Sequence, residues 1–303
     1  MMDDCGHGSL NLALVNEVCA NLSHRIWAPP RTNRFVHYTS WESAKSIIAG
    51  KAIWLSDLLC MTDNNELVDG ANSLKTYLDA LYANGLDECS AIVMNDLMTA
   101  ANEIIRCPTS GIHILSFTSG FDSNRHWLDY ACGGSGLAME LRIRDALAES
   151  LRSHGGFAAT AQIEYSESSK RRMMNQLVSV IHEVYNGGVR QPAHLSRKRW
   201  IDVLAYSISR LFLAAVALTK TPSHAWEKET RLLVIPDVSQ VLPRPGTPPD
   251  YDRPILPLEL GVHLDLTKVC FRVPPSTALR YRSLELLRRD SGLDFEIVDV
   301  CDR

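Results

Sequence analysis

Two groups of residues in this chain have the side chains that chemistry needs. The first is His37-Tyr38-Thr39, at the end of a short apolar run. The second is Glu227, Glu229 and Arg231, spaced two apart. Alternation along a strand would put those three on one face. Two carboxylates in one small environment repel, so one is poised to take a proton or meet a growing positive charge. A His and a Tyr at a strand end beside a helix start suit an anionic ligand, because free backbone N–H groups and the positive dipole end lie there. The bland alternative for the first group is a buried His and Tyr in ordinary packing. For the second it is a solvated edge strand with Glu paired to Arg231, a pairing worth little. Between the two groups, Ser116-Phe117-Thr118-Ser119 puts hydroxyls at a strand end. His126, Trp127 and Tyr130 offer an aromatic face for a flat cationic ring, or else a core aromatic cluster.

The rest of the chain must position these residues. After the first group, Thr39 and Glu42 have capping-box spacing. Ala44, Ile47 and Ile48 follow at helical steps, and Gly50 is placed to close the helix in the left-handed region. Residues 52–56 read as a strand, so the unit is strand, helix, strand. Helices are predicted near residues 10–22, 67–81, 91–105, 196–219 and 276–288. In the helix over 196–219, Ile201, Leu204, Ile208, Leu211, Ala215 and Leu218 form a core-facing stripe. Strands are predicted near 111–119, 137–141, 161–165, 231–235, 269–273 and 295–300. Residues 61–66 form a polar turn, and the Pro-rich stretch 242–257 reads as a long loop. The glycines at 133, 134 and 136 lack the order of a dinucleotide-binding loop and read as a flexible turn. Strands and helices mix without strict alternation, which points to an α+β fold. The expected layout is an N-terminal helical extension over 1–30, then one domain over 31–303. Helical insertions are expected at about 67–105 and 170–220.

Composition narrows the function classes. The 303 residues carry 31 Lys and Arg against 35 Asp and Glu, a net charge of -4, which excludes a globally basic nucleic-acid binder. The runs Lys170-Arg171-Arg172 and Arg197-Lys198-Arg199 read as solvated helix faces. Eight cysteines are scattered with no Cys-x-x-Cys pair, which suits reduced thiols rather than a disulfide framework or a zinc site. The first residues lack the pattern of a secretory signal. The run from Leu211 to Leu218 falls well short of the ~20 residues a membrane span needs. A cytoplasmic protein without a membrane anchor is the expectation. No His-Glu-x-x-His helix, phosphate loop or nucleophile elbow is present, so no metal is expected, and a Cys or Ser hydrolase built around Cys132 ranks last.

The segment from His37 to Gly50 resembles the first motif of the diphtheria-toxin-like ADP-ribosyltransferases. Taken together, His37-Tyr38-Thr39, the turn 62–66, Ser116-Phe117, Trp127-Leu128-Asp129-Tyr130 and Glu227-Lys228-Glu229-Thr230-Arg231 resemble the bacterial family known as domain of unknown function 2971. That resemblance covers about residues 34–300, and its turn departs from the family pattern at Thr62 and Asn64.

The resemblance implies an ADP-ribosyltransferase-like split mixed sheet with helical insertions. It also implies a mono-ADP-ribosyltransferase of toxin, effector or phage-defence type that uses NAD. Glu229 would stabilise the cationic ribosyl centre, and Glu227 would orient or activate the acceptor. His37 would hydrogen-bond the adenosine-side ribose or the nicotinamide amide. Tyr38, Ser116, Ser119 and Arg231 would line the NAD site. Thr39 and the helix start would hold the nicotinamide end and the pyrophosphate, while Trp127 or Tyr130 stacks on nicotinamide. The acceptor would be a protein or a nucleic acid, and an inhibitory antitoxin-like partner fits such an enzyme. The alternative is a non-enzymatic nucleotide-binding sensor or protein-interaction module.

Overall fold

The computed structural model describes residues 12–60, 66–83, 95, 97–99, 101–102, 111–121, 123–153, 156–186, 188–236, 241–243, 254–272 and 277–300. The chain begins with helix α1 (Leu12–Ile26), then β1 (Arg34–Thr39), α2 (Trp41–Gly50) and β2 (Ala52–Asp57). The predicted strand-helix-strand unit is therefore present, but its caps differ. Thr39 is held extended by pairing with Leu137, so the cap passes to the next hydroxyl. The Ser40 side chain accepts from the N–H of Ser43 at 3.0 Å. At the other end the left-handed residue is Lys51, with φ 50°, and Gly50 stays helical. The N–H of Lys51 meets the Ile47 and Ile48 carbonyls, which ends the helix without glycine.

Next come α3 (Glu66–Ala83), β3 (His113–Phe117), α4 (Asn124–Tyr130) and β4 (Leu137–Ile143). They are followed by α5 (Asp145–Ser153), β5 (Phe157–Gln162), α6 (Glu167–Tyr185) and α7 (Arg197–Ala217). The chain closes with β6 (Thr230–Ile235), β7 (Leu242–Pro243), β8 (Pro254–Glu259), β9 (Leu264–Phe271), α8 (Thr277–Ser291) and β10 (Glu296–Asp299).

The strands form two sheets. One has the order β1-β4-β9-β10, with β9 and β10 parallel and the other pairs antiparallel. The other is antiparallel, with the order β5-β6-β3-β2-β8-β7. They meet where Val36 and Thr118 exchange two backbone hydrogen bonds of 2.9 Å, just beyond the end of β3. The fold is α+β, with two sheets and several helices.

The larger sheet is covered on both faces. One face presents Ile114, Phe157, Leu233 and Ile235 to a layer built from α1, α3, α6 and α7. The other presents Leu115, Phe117, Leu232 and Val234 to the smaller sheet and to α2, α5 and α8. Every residue of β6 is buried, which explains the unbroken apolar run Leu232-Leu233-Val234-Ile235.

Helix α7 is long and apolar enough to cross a bilayer by length and composition, yet here its apolar residues pack in the helical layer. Its buried face starts at Trp200 and Val203, so the predicted stripe is rotated at its start: Ile201 is 52% exposed.

The described part of the expected loop over 242–257 is strand, and residues 244–253 lie outside the described residues. Residues 242–243 and 254–259 are strands, with β8 pairing along β2. The prolines misled the reading. Among the described residues β7 reaches only Ile255 and Pro254, so Pro257 is paired there with β2 alone, a setting that tolerates proline. The turn at 62–65, most of the predicted helix 91–105 and Val273 lie outside the described residues.

Candidate functional site

The second group does not lie on one strand. Residues 222–227 form a short 3-10 helix, and Lys228 turns the chain with φ 45°. Glu229 then precedes β6, and Arg231 is its second residue. Strand alternation therefore does not account for their proximity. A lysine does. Lys220 Nζ lies 2.7 Å from Glu227 Oε2, 3.0 Å from Glu229 Oε2 and 2.8 Å from Glu66 Oε1.

Arg231 closes the other side. Its Nε donates to Glu229 Oε1 at 2.7 Å and its Nη2 to Glu66 Oε2 at 2.5 Å. Its Nη1 reaches the Ala217 carbonyl at the end of α7, at 2.7 Å. Glu66, Glu227, Glu229 and Arg231 are all buried, which rules out a solvated edge strand. Arg231 can lie inside a sheet because its donors meet carboxylates and a carbonyl. It is an internal counter-ion, with each of its guanidinium nitrogens engaged within the protein.

The first group joins this network through Ser116. Pairing of β3 with β6 sets Ser116 opposite Arg231. From there Ser116 Oγ donates to Glu229 Oε1 at 2.5 Å. The Ser116 carbonyl meets His37 Nδ1 at 3.0 Å. Burial lowers the pKa of His37, so its ring is neutral at pH 7. A neutral ring facing a carbonyl through Nδ1 carries its proton there, which leaves Nε2 as an acceptor. Burial alone would raise the Glu229 carboxyl, but Arg231 and Lys220 overcome it and hold the pKa at about 2. The Lys220 ammonium, which burial would discharge, is held charged by Glu229 and Glu66. Tyr165 adds its hydroxyl as acceptor for the Glu229 N–H at 3.0 Å.

The other expected site residues are placed differently. Tyr38 is buried; its hydroxyl donates to the Gly120 carbonyl at 3.1 Å and its ring stacks on His126 at 5.4 Å. Trp127 is fully buried, and its Nε1 donates to the Phe121 carbonyl at 3.0 Å. Neither ring presents a face to a ligand, because both fill the cluster with Val36, Ala131, Ala138 and Cys270. Thr39 ends β1, and the Gly136 backbone packs against its carbonyl so closely that a Cβ would stand 2.2 Å away. Ser119 is exposed, one residue past the bridge between the sheets.

Tyr130 is 45% exposed and donates its hydroxyl to Glu227 Oε1 at 2.9 Å. Burial and the Glu227 charge raise its pKa, so it remains a donor. The ring lies parallel to Trp226 at 6.1 Å, and the Arg125 guanidinium covers Trp226 at 3.8 Å. His224 Nδ1 completes the surroundings of Glu227 at 2.8 Å from Oε1.

Glu66, Tyr165, Lys220, His224 and Trp226 were not among the expected site residues. Lys220 had one visible signal, a lone charge two residues after the apolar run 211–218. Glu66 stood only as the last residue of a family turn. Comparison of the chain with protein-family models, with curated proteins and with solved structures gave no match.

Proposed function

We propose that this protein is an NAD-dependent mono-ADP-ribosyltransferase of the kind its motifs resemble, acting on a protein or nucleic-acid acceptor. The observation that carries the reading is that Ser116 ties His37, through its carbonyl, and Glu229, through its hydroxyl, to one place beside the junction of the two sheets. Three motifs that resemble the superfamily in order thus meet in space. The pairing of two sheets at β1 and β3 supports a split sheet of the ADP-ribosyltransferase type.

The charges fit the nicotinamide-ribose half of NAD. Glu66, Glu227 and Glu229 oppose Lys220 and Arg231, so three carboxylates face two fixed cations and one negative charge is left over. That is the sign a developing ribosyl cation needs, inside a site where burial strengthens the effect. NAD would supply the ADP-ribosyl group and nicotinamide as leaving group. The ribose-to-nicotinamide bond breaks, and an acceptor atom bonds to the same carbon and gives up a proton. Glu229 stays ionised and faces the growing charge, with Ser116 fixing its Oε1. Glu227 lies beside it to orient the acceptor or take that proton. His37 Nε2 accepts from a ribose hydroxyl or the amide. The half-exposed ring of Tyr130 offers the aromatic face, in place of Trp127.

The test is incubation with labelled NAD, following nicotinamide release with and without cell lysate. Glu229→Gln is expected to cut release by about 10²–10³-fold while circular dichroism keeps its wild-type shape. Release unchanged in that variant would sink the reading. A second reading, a nucleotide-binding or interaction module without turnover, is favoured by the internal pairing of both Glu229 oxygens. NAD binding without nicotinamide release would support it.

A further inference from the structure

A second concave surface lies away from this network. It is a cleft of about 450 Å³ formed by the last turn of α6, the connecting residues 189–191 and the first turns of α7. Sites for small organic ligands usually measure roughly 300–1,000 Å³. One wall is apolar, formed by Val184, Trp200, Ile201 and Leu204. The exposure of Ile201 belongs to this wall: the residue is turned out of the core stripe and into the cleft.

Two guanidinium groups, Arg190 and Arg197, line the same cleft, and no carboxylate does. Neither forms an ion pair or hydrogen bond among the described residues, whereas Arg25, Arg142, Arg144, Arg231 and Arg288 each meet a carboxylate. The positive end of the α7 dipole lies at the same place. An apolar wall beside two unneutralised cations is complementary to a molecule with an apolar tail and an anionic head. A hydrocarbon chain would cover Ile201 and Leu204, and a carboxylate would offer the guanidinium groups charge-assisted hydrogen bonds.

We infer that this cleft binds an amphiphilic carboxylate of the fatty-acid class. Arg190 and Arg197 hold the head group, and the apolar wall holds the tail. The site is independent of the transferase reading, and its test uses no NAD.

The experiment is calorimetric titration of the full chain with dodecanoate below its micelle concentration. Dodecanol, which has the tail without the charge, and acetate, which has the charge without the tail, are titrated in parallel. Dodecanoate is expected to bind at one site, at least tenfold more tightly than either control. The double variant Arg190→Gln with Arg197→Gln, both at exposed positions, is expected to weaken dodecanoate at least tenfold. Ile201→Glu, also exposed, is expected to weaken it similarly by placing a like charge in the tail wall. Binding of dodecanol as tight as dodecanoate would overturn the inference, as would unchanged affinity in the double variant.

Discussion

At the scale of single residues, Lys220 holds the site together. Among the described residues it alone contacts all three buried carboxylates. Removing one member of a buried ion network leaves uncompensated charge, which typically costs about 3–5 kcal/mol. Lys220→Met keeps the stem and deletes the charge, so a loss of that size is expected in urea unfolding. A loss under about 1 kcal/mol, the range of exposed pairs, would mean that water screens the cluster. Glu229 sets a pH window with a definite sign. Its folded pKa, about 2, lies below its ordinary 4.5. The charged form is therefore favoured by folding, and its contribution is complete above pH 4.5. It is lost as pH falls from 4.5 towards 2. In Glu229→Gln the stability curve is expected to be flatter across that window. Of the site, His37, Ser116 and Glu229 were legible in the sequence, because each stands in a short motif of recognisable type. Glu66 and Lys220 were not. Arg231 and Glu66 are 165 positions apart, and no local pattern encodes such a pairing.

At the scale of elements, the site depends on how α3 crosses α7. A Cβ at Gly70 would stand 2.6 Å from the Val216 carbonyl and 2.8 Å from Thr219 Oγ1. The glycine lets the two helix backbones touch, and this contact carries Glu66, at the start of α3, towards Lys220. In an exposed helix Gly→Ala gains about 1 kcal/mol. Here overpacking, at about 1–3 kcal/mol, outweighs it. Gly70→Ala is expected to lower the urea midpoint, and a raised midpoint would refute the contact. Elements with a strong local period, such as α3 and α7, or with an unbroken apolar run, such as β6, were legible. The caps of α2 were read one residue early, because a strand partner, Leu137, decides where β1 ends. β8 was hidden by its prolines, and where those find unpaired sides depends on the sheet pairing rather than on local sequence.

At the scale of the molecule, the histidines set the behaviour in mild acid. Burial lowers the pKa of His37, His113, His126 and His263 below the ordinary 6.5. Their protonated forms are then favoured by unfolding, so the unfolded chain binds more protons and stability falls as pH drops below 6.5. The urea midpoint is expected to be lower at pH 5.5 than at pH 7.5; equal midpoints would show that these rings titrate as they do in water. Acid sensitivity thus begins with imidazoles and deepens when Glu229 protonates. The α+β class was legible from the mixture of elements, but the division into two sheets was not, since it rests on pairings such as β4 with β9 that span more than a hundred residues.

The order of the cluster along the chain also bears on protein synthesis. The ribosome makes Glu66 and Ser116 well before Lys220, Glu229 and Arg231. β6 arrives with them, and it is the strand that joins β5 to β3. A nascent chain shorter than this has neither the carboxylate nor the strand that seats it. Translation products that stop before Arg231 therefore lack the assembled cluster and whatever activity it carries.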